Sequence, residues 1–326
     1  MHISYSQFQC YLSCPYKHYL NYVERIVKKK KDRPLYFGSD FHKLLEYRIQ
    51  SEEKQKEVRQ EIRDKFYELP ADQQSDLGND YPETLFTIFD DYCDYWKNAP
   101  LPDLTEQEFN IKMGNFNGEP VYFKGVIDEL YITPNNGNII VGEHKTFTKM
   151  PQRDFLVMNT QKSLYAVAVK KLYGHYPDTI MWDYIHSQAA SYPVWLEKSN
   201  KFSSASNTKI TPYSYKRACE EKGIEYKEED AEKYTPNISN FFFRYTLDYI
   251  PEMIDNVWQG FKYTCKDIVK NGEKNKTKNL TYNCGWCQYR DICHAELTGS
   301  PVEEIVERDF EERKETNGNT EQSEAD

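Results

Sequence analysis

No stretch of the 326-residue chain is apolar over the roughly 18 residues that a membrane-spanning helix requires. The amino end, MHISYSQFQC, has no basic segment leading into an apolar one, so neither a membrane anchor nor a secretory leader is expected. There is no GxxxxGK[ST] loop, which excludes a motor built on that phosphate cradle, and any unwinding would fall to a partner. No internal repeat is present, which excludes a solenoid. Positive charge is short as well: 42 Lys and Arg stand against 52 Asp and Glu, a net charge of −10. Taken over the whole chain, that balance argues against a nucleic-acid partner held by charge alone.

What is present fits a soluble globular protein of one large α/β domain or two smaller ones, with 39% hydrophobic and 29% charged residues. The 27 tyrosines and 17 phenylalanines supply core and half-buried surface, and also material for stacking on bases. The acidity is concentrated at one end. Residues 302–326 hold ten acids and three bases, a net of −7, which leaves −3 for the rest. That segment, within an acidic tail over 299–326, is expected to be disordered. Lys28–Lys31 and the NGEKNKTK stretch before Leu280 are local basic patches. With no leader, a cytoplasmic location is expected, in a bacterium, an archaeon or a phage-infected cell. There, eight cysteines read as metal ligands plus buried thiols rather than as disulfides.

Periodicity predicts helices over 6–12, 15–26, 38–50, 51–69, 81–97, about 153–173 and 241–269. Strands are expected over 109–113, 119–133, 138–146, about 179–186 and 192–197, with a hairpin turn at 134–137. Residues 199–238 form a polar insertion without an assigned role. Helices, a hairpin, a helix and further strands make an α/β sandwich.

The hairpin strands read KGVIDELYIT (124–133) and NIIVGEHKTF (138–147). A four-residue loop makes opposed positions sum to 271 and sets Asp128 against Glu143; a two-residue loop gives 273 and sets Asp128 against Lys145. In either register Asp128, Glu143 and Lys145 share a sheet face. Facing carboxylates in Val- and Ile-rich strands repel unless a cation lies between them, and Mg²⁺ or Mn²⁺ suits such ligands. A surface ion pair with Lys145 is the plain alternative.

The order Ile127-Asp128, hairpin, Glu143-His144-Lys145 resembles the PD-(D/E)xK nucleases. Two further motifs resemble the RecB-like exonuclease branch: Gly38-Ser-Asp-Phe-His42, and Gln161-Lys-Ser-Leu-Tyr165, an i, i+4 pair on one helix face. The resemblance implies a restriction-endonuclease-like core, a central mixed sheet flanked by helices, over residues 1–298. It implies Mg²⁺ or Mn²⁺ held by His42, Asp128, Glu143 and the carbonyl of His144. Lys145 would activate water and stabilise charge, while Gln161 and Tyr165 would position the strand. The implied activity is exonucleolytic hydrolysis at DNA ends or single strands. Partners would be DNA and a helicase, recombination or CRISPR-adaptation protein. A catalytically silent scaffold subunit of such an assembly is the rival reading.

Cys284-x2-Cys287-x5-Cys293 near the carboxyl end, with Cys14 in Ser13-Cys14-Pro15, resembles the iron–sulfur subgroup of these nucleases. The resemblance implies a 4Fe–4S cluster on Cys14, Cys284, Cys287 and Cys293 that joins the two ends of the domain. A Cys₄ zinc site stays open, although a zinc ribbon would need a second Cys-x2-Cys pair, and Cys10 rivals Cys14 as fourth ligand. Cys93, Cys219 and Cys265 read as buried thiols.

Overall fold

Serine, asparagine and proline set where the helices begin. The computed structural model describes residues 1–313, apart from 31, 134–136, 151, 153–155, 204, 206 and 248–249. Strand β1 (His2–Ile3) leads into α1 (Tyr5–Ser13), capped by the Ser4 hydroxyl, which accepts from the Gln7 N–H. Cys14 breaks the helix in an extended conformation, and Pro15 opens α2 (Pro15–His18). A π-turn over Tyr19–Val23 and strand β2 (Ile26–Lys28) follow, so the helix expected over 15–26 ends early. Four helices come next: α3 (Arg33–Tyr47), α4 (Glu52–Tyr67), α5 (Ala71–Leu77) and α6 (Tyr81–Tyr95).

Strands β3 (Leu104–Phe116), β4 (Glu119–Ile132) and β5 (Ile139–Phe147) form an antiparallel meander. Helix α7 (Thr160–Tyr173) then crosses to β6 (Thr179–His186), which pairs parallel with β5. The Asn159 side chain caps α7, and Gly174, at φ +89°, ends it in the left-handed conformation. Short strands β7 (Trp195–Leu196) and β8 (Lys201–Phe202) precede α8 (Pro212–Lys222) and α9 (Glu228–Glu232). Strand β9 (Phe242–Leu247), α10 (Pro251–Asn271), α11 (Arg290–Thr298), α12 (Glu303–Asp309) and β10 (Phe310–Glu312) complete the chain.

The result is a mixed sheet in the order β1-β4-β5-β6-β9, with β3 also on β4, and helices on both sides. On one side Phe8 of α1, Leu164 and Ala168 of α7, and Phe261 of α10 cover Phe123, Ile127 and Val141. On the other, Phe37 and Phe41 of α3, Ile62 of α4 and Leu85 of α6 reach Ile185 and Phe242. Side chains buried this completely each contribute about 1.5–3 kcal/mol, enough to hold both layers to the sheet. The expected α/β core with a mixed sheet is present. No helix among the described residues is long and apolar enough to cross a membrane.

The hairpin takes the four-residue loop: Glu129 pairs with Gly142 and Leu130 with Val141, the register whose positions sum to 271. The Thr133 N–H donates to the Asn138 carbonyl at 2.9 Å and closes that loop; turn residues 134–136 lie outside the described residues, as do Lys31 of the first basic patch and the start of the helix expected from 153.

Three expectations shift. Residues 242–247, expected within a helix, form β9, because FFRYTL is rich in strand formers and pairs along β6, while Pro251 delays the helix start. The polar insertion contains α8 and α9 around a small core of Ile210, Tyr215, Cys219, Ala231 and Tyr234, and Arg217 ties it to α6 by two hydrogen bonds to Asp91 at 2.6 and 2.7 Å. The acidic tail begins folded: β10 pairs antiparallel with β2, and only 314–326 lie outside the described residues.

Candidate active site

One step beyond the Glu129–Gly142 pair the register brings Asp128 level with Glu143, and the His144 N–H donates to Asp128 Oδ2 at 2.7 Å, which fixes that carboxylate against β5. Glu143 is buried; its Oε1 accepts from Gln161 Nε2 of α7 at 2.8 Å and lies 3.3 Å from Lys145 Nζ. Lys145 Nζ also lies 5.6 Å from the centre of the Trp182 ring. From the other layer, His42 of α3 brings Nδ1 to 3.8 Å from Asp128 Oδ1. Six of the seven expected nuclease residues thus meet at one end of the hairpin. Tyr165 is buried in the core against Phe109, with ring centres 5.7 Å apart.

The structure adds a residue that the motifs do not mark. Ligand atoms of His42, Glu106 and Asp128 all lie within 4.8 Å of one another. Glu106 comes from β3, whose register with β4 (Thr105 with Glu129, Gln107 with Ile127) puts it beside Asp128. Its backbone has φ +47°, a region that residues other than glycine seldom enter and one that marks local strain at a site. Burial, and then the charges of Asp128 and Glu46, push the Glu106 carboxyl up to about 8. Burial lowers His42, with His144 and Lys145 adding to the effect against Asp128, which favours a neutral imidazole with a free lone pair. Two carboxylates that repel, plus a neutral imidazole, are a donor set that fits one divalent cation such as Mg²⁺ or Mn²⁺. Glu143, expected as a ligand, is not a member of this convergent trio.

Next to Asp128 and Glu143 in their strands, Glu129 and His144 enter a buried ionic network. Glu129 accepts from Arg48 Nη2 at 2.7 Å and from the Tyr131 hydroxyl at 2.6 Å, and lies 3.0 Å from His144 Nε2. His144 Nδ1 lies 3.5 Å from Asp183, which also takes Arg244 at 3.2 Å and the Tyr92 hydroxyl at 2.5 Å. Burial alone would lower His144 and raise Glu129. The opposite charges win, holding His144 up to about 10 and Glu129 down to about 2. The imidazole of His144 is thereby committed to the network rather than to a metal. Gly142 makes room for it: a Cβ there would lie 3.1 Å from the Cβ and Oε2 of Glu129.

Arg48→Met tests this foundation. Breaking a buried ion pair costs about 3–5 kcal/mol. Glu129 would keep His144 and Tyr131, so the lower end, about 3 kcal/mol, is expected by denaturant unfolding. A loss below about 1 kcal/mol would show that the network does not hold α3 to the sheet.

A family model described as the PD-(D/E)XK nuclease superfamily matches residues 2–294. The chain belongs to the PD-(D/E)XK nuclease superfamily. No curated protein matches this nuclease-superfamily chain. Among solved structures it is similar to SSO0001 at 12% identity, covering 72% of this chain and 79% of that one, with a TM-score of 0.35. It is also similar to a "Putative exonuclease" from Eubacterium rectale at 11% identity, covering 87% of each chain, with a TM-score of 0.48.

The cysteines require a correction. Among the described residues, the group of ligands that converges is His42, Glu106 and Asp128, an oxygen and imidazole set for a single divalent ion and not a thiolate set for a 4Fe–4S cluster. Cys14, Cys284, Cys287 and Cys293 form no such group. The Cys14 and Cys284 thiols point to the carbonyls of Thr277 at 3.8 Å and Asn279 at 3.6 Å. Cys14, Cys287 and Cys293 pack against Tyr16, Leu20, Tyr289 and Phe310. Burial first, and then neighbouring cysteines, raise the thiols of Cys287 and Cys293, which favours the protonated form. The chain ends are joined instead by the β2–β10 pairing, by the Tyr16 N–H donating to the Thr277 carbonyl at 3.0 Å, and by the Tyr289 hydroxyl donating to the Ile26 carbonyl at 2.7 Å. Burial raises Cys10 to about 12; Cys219 and Cys265 are buried, whereas Cys93 is half-buried.

Proposed function

We propose that this chain is a metal-dependent deoxyribonuclease that hydrolyses phosphodiester bonds as an exonuclease, at DNA ends or on single strands. One observation carries the reading: the carboxylates of Glu106 and Asp128 and the imidazole of His42 converge beside Glu143 and Lys145. A bound Mg²⁺ or Mn²⁺ would polarise the scissile phosphate and lower the pKa of an attacking water. His42, Glu106 and Asp128 would hold that ion, with Glu143 and the His144 carbonyl reached through water or a shift of the strand ends. Lys145 would orient the nucleophile and offset the negative charge that grows at phosphorus. Gln161, bonded to Glu143, would fix that carboxylate, and Tyr165 would brace α7 against β3 rather than touch the strand. Residues 1–298 would act as one nuclease unit, with strand separation left to a helicase, recombination or CRISPR-adaptation partner.

Purified protein incubated with end-labelled single- and double-stranded DNA tests this directly. In Mn²⁺ or Mg²⁺, progressive loss of the end label is expected, and excess chelator should stop it. Cleavage that continues in chelator, or none on any DNA with either ion, would remove the proposal. Label at the 5′ or 3′ end also reads the polarity.

A further inference from the structure

We propose that the segment Leu280–Trp286 is a base-stacking platform for the single-stranded part of a DNA substrate. This inference rests on the nuclease reading above and adds a second binding site, away from the metal centre. In a fold that leaves few of its described aromatic rings exposed, Tyr282 is 86% and Trp286 87% exposed, and Leu280 beside them is 62% exposed. Large apolar side chains left this open in one place mark a surface that something else covers.

Charge names the occupant. Residues 270–289 contain four lysines (Lys270, Lys274, Lys276 and Lys278) and one acid, Glu273, a net of +3 within a chain of net −10. Lys276 lies over the half-buried Tyr19 ring at 4.0 Å, while Lys278 lies over the buried Tyr16 ring at 4.1 Å and pairs with Glu296 at 2.8 Å, so Lys276 is the cation of the two that has no carboxylate at this distance. A polyanion whose units each carry a flat π-face matches both features, and single-stranded DNA is that polyanion. In a duplex the same faces are already stacked.

The backbone that carries the rings is also held. The Thr281 hydroxyl accepts from the Asn283 N–H at 3.3 Å, and the Cys284 N–H donates to the Thr281 carbonyl at 3.0 Å. Cys287 and Arg290 continue the chain of turns with N–H bonds to the carbonyls of Cys284 and Cys287. A loop bonded in this way has less backbone entropy to lose on binding.

Helix α1 links this surface to the candidate active site. At its start, the Tyr5 hydroxyl and Gln9 Nε2 each lie 3.1 Å from Thr160 Oγ1, next to Gln161. At its end, Asn279 Nδ2 donates to the Ser13 carbonyl at 3.0 Å. Nine residues of helix span about 13 Å, which is about four nucleotides at the 3.4 Å stacked spacing. The helix alone accounts for that length, so a strand with its terminal phosphate at the metal centre would need several nucleotides to reach the platform.

The test uses the full chain in excess chelator, so that binding is read without cleavage, with fluorescein-labelled oligo-dT of 3 and 15 nucleotides. For Tyr282→Ala/Trp286→Ala we expect affinity for the 15-mer to fall at least tenfold, since stacking on one ring contributes about that much per base. Affinity for the 3-mer should fall less than that for the 15-mer, because it is too short to span both sites. Trp286→Phe should retain most of the 15-mer affinity, which separates ring stacking from a folding effect. An unchanged 15-mer affinity would overturn the proposal, as would an equal loss on a blunt duplex of the same length. If the unsubstituted chain neither binds nor cleaves any DNA, the nuclease reading falls and takes the platform with it. If it cleaves DNA but ignores the ring substitutions, only the platform falls.

Discussion

Lys145→Ala is expected to lower metal-dependent DNA cleavage by about 10²–10⁴-fold while leaving the protein folded. Removing one preorganised group that meets developing charge costs about 10²–10³ in rate, and loss of a positioned proton-transfer group costs up to about 10⁴. The contact of the lysine with Glu143 is a modest one. It is 22% exposed, its Glu143 contact is 3.3 Å, and Glu143 keeps the shorter bond from Gln161 at 2.8 Å. A partly exposed pair of this kind contributes at most about 1 kcal/mol. Thermal unfolding should therefore move little while turnover collapses, and DNA affinity measured in chelator should fall only modestly. Lys145→Arg is the informative control. It keeps the charge but changes its shape and cannot be deprotonated, so partial activity would assign the lysine to charge stabilisation, and none would favour proton transfer. Full cleavage by Lys145→Ala would remove this residue from the chemistry.

How much of this site is legible in the sequence depends on which contacts are local. Asp128, Glu143 and Lys145 sit on two strands joined by a short loop, so a two-fold periodicity and a choice between two loop lengths already bring them together. Gln161 follows one helix later and meets Glu143 by the same local logic. Glu106 is the opposite case. In LTEQEFN it is one acid in an alternating polar strand, which reads as a solvated edge, and only the β3–β4 register, with positions summing to 234, sets it beside Asp128. Its positive φ has no signature in the residue type. Arg48, Asp183 and Arg244 are similarly hidden, since their network is assembled from the residue that ends α3 and from β6 and β9 across long stretches of chain. The role of the His144 side chain is hidden for the same reason. The cysteines mark another boundary: Cys-x2-Cys-x5-Cys is legible as a motif, but the spacing says nothing of how closely the thiols converge, and the compact ligand group lies elsewhere. Residues 302–312 show the limit of composition, since acidic residues there still pair as β10 with β2.

Glu106→Gln carries an effect of two signs, and that combination separates a metal ligand from an ordinary buried acid. With the carboxyl held up to about 8 in the fold against an ordinary 4.5, the folded state binds more protons than the unfolded chain between those two values. Metal-free protein should therefore lose stability as pH rises from about 4.5 to 8, by an amount on the order of a few kcal/mol. Below that window the protonated carboxyl costs nothing; above it the full cost of burying the charge, with the repulsion from Asp128 and Glu46, remains. Glutamine has no proton to lose, so the substitution should flatten this slope and make the metal-free protein more stable than the parent at pH 9. Mn²⁺ should reverse the order. Removing a group behind the ligands already costs 10–100-fold in metal affinity, so losing a ligand should cost about a hundredfold or more. The parent should gain melting temperature from Mn²⁺, increasingly so towards pH 9 as the proton ceases to compete, and the variant should gain little at any pH. Melting curves at pH 5 and 9, with Mn²⁺ and with chelator, give all four values, and cleavage assays run alongside should fall with metal affinity. A variant that is less stable than the parent in chelator at pH 9, yet responds to Mn²⁺ as the parent does, would place Glu106 outside the metal site and return the ligand role to Glu143.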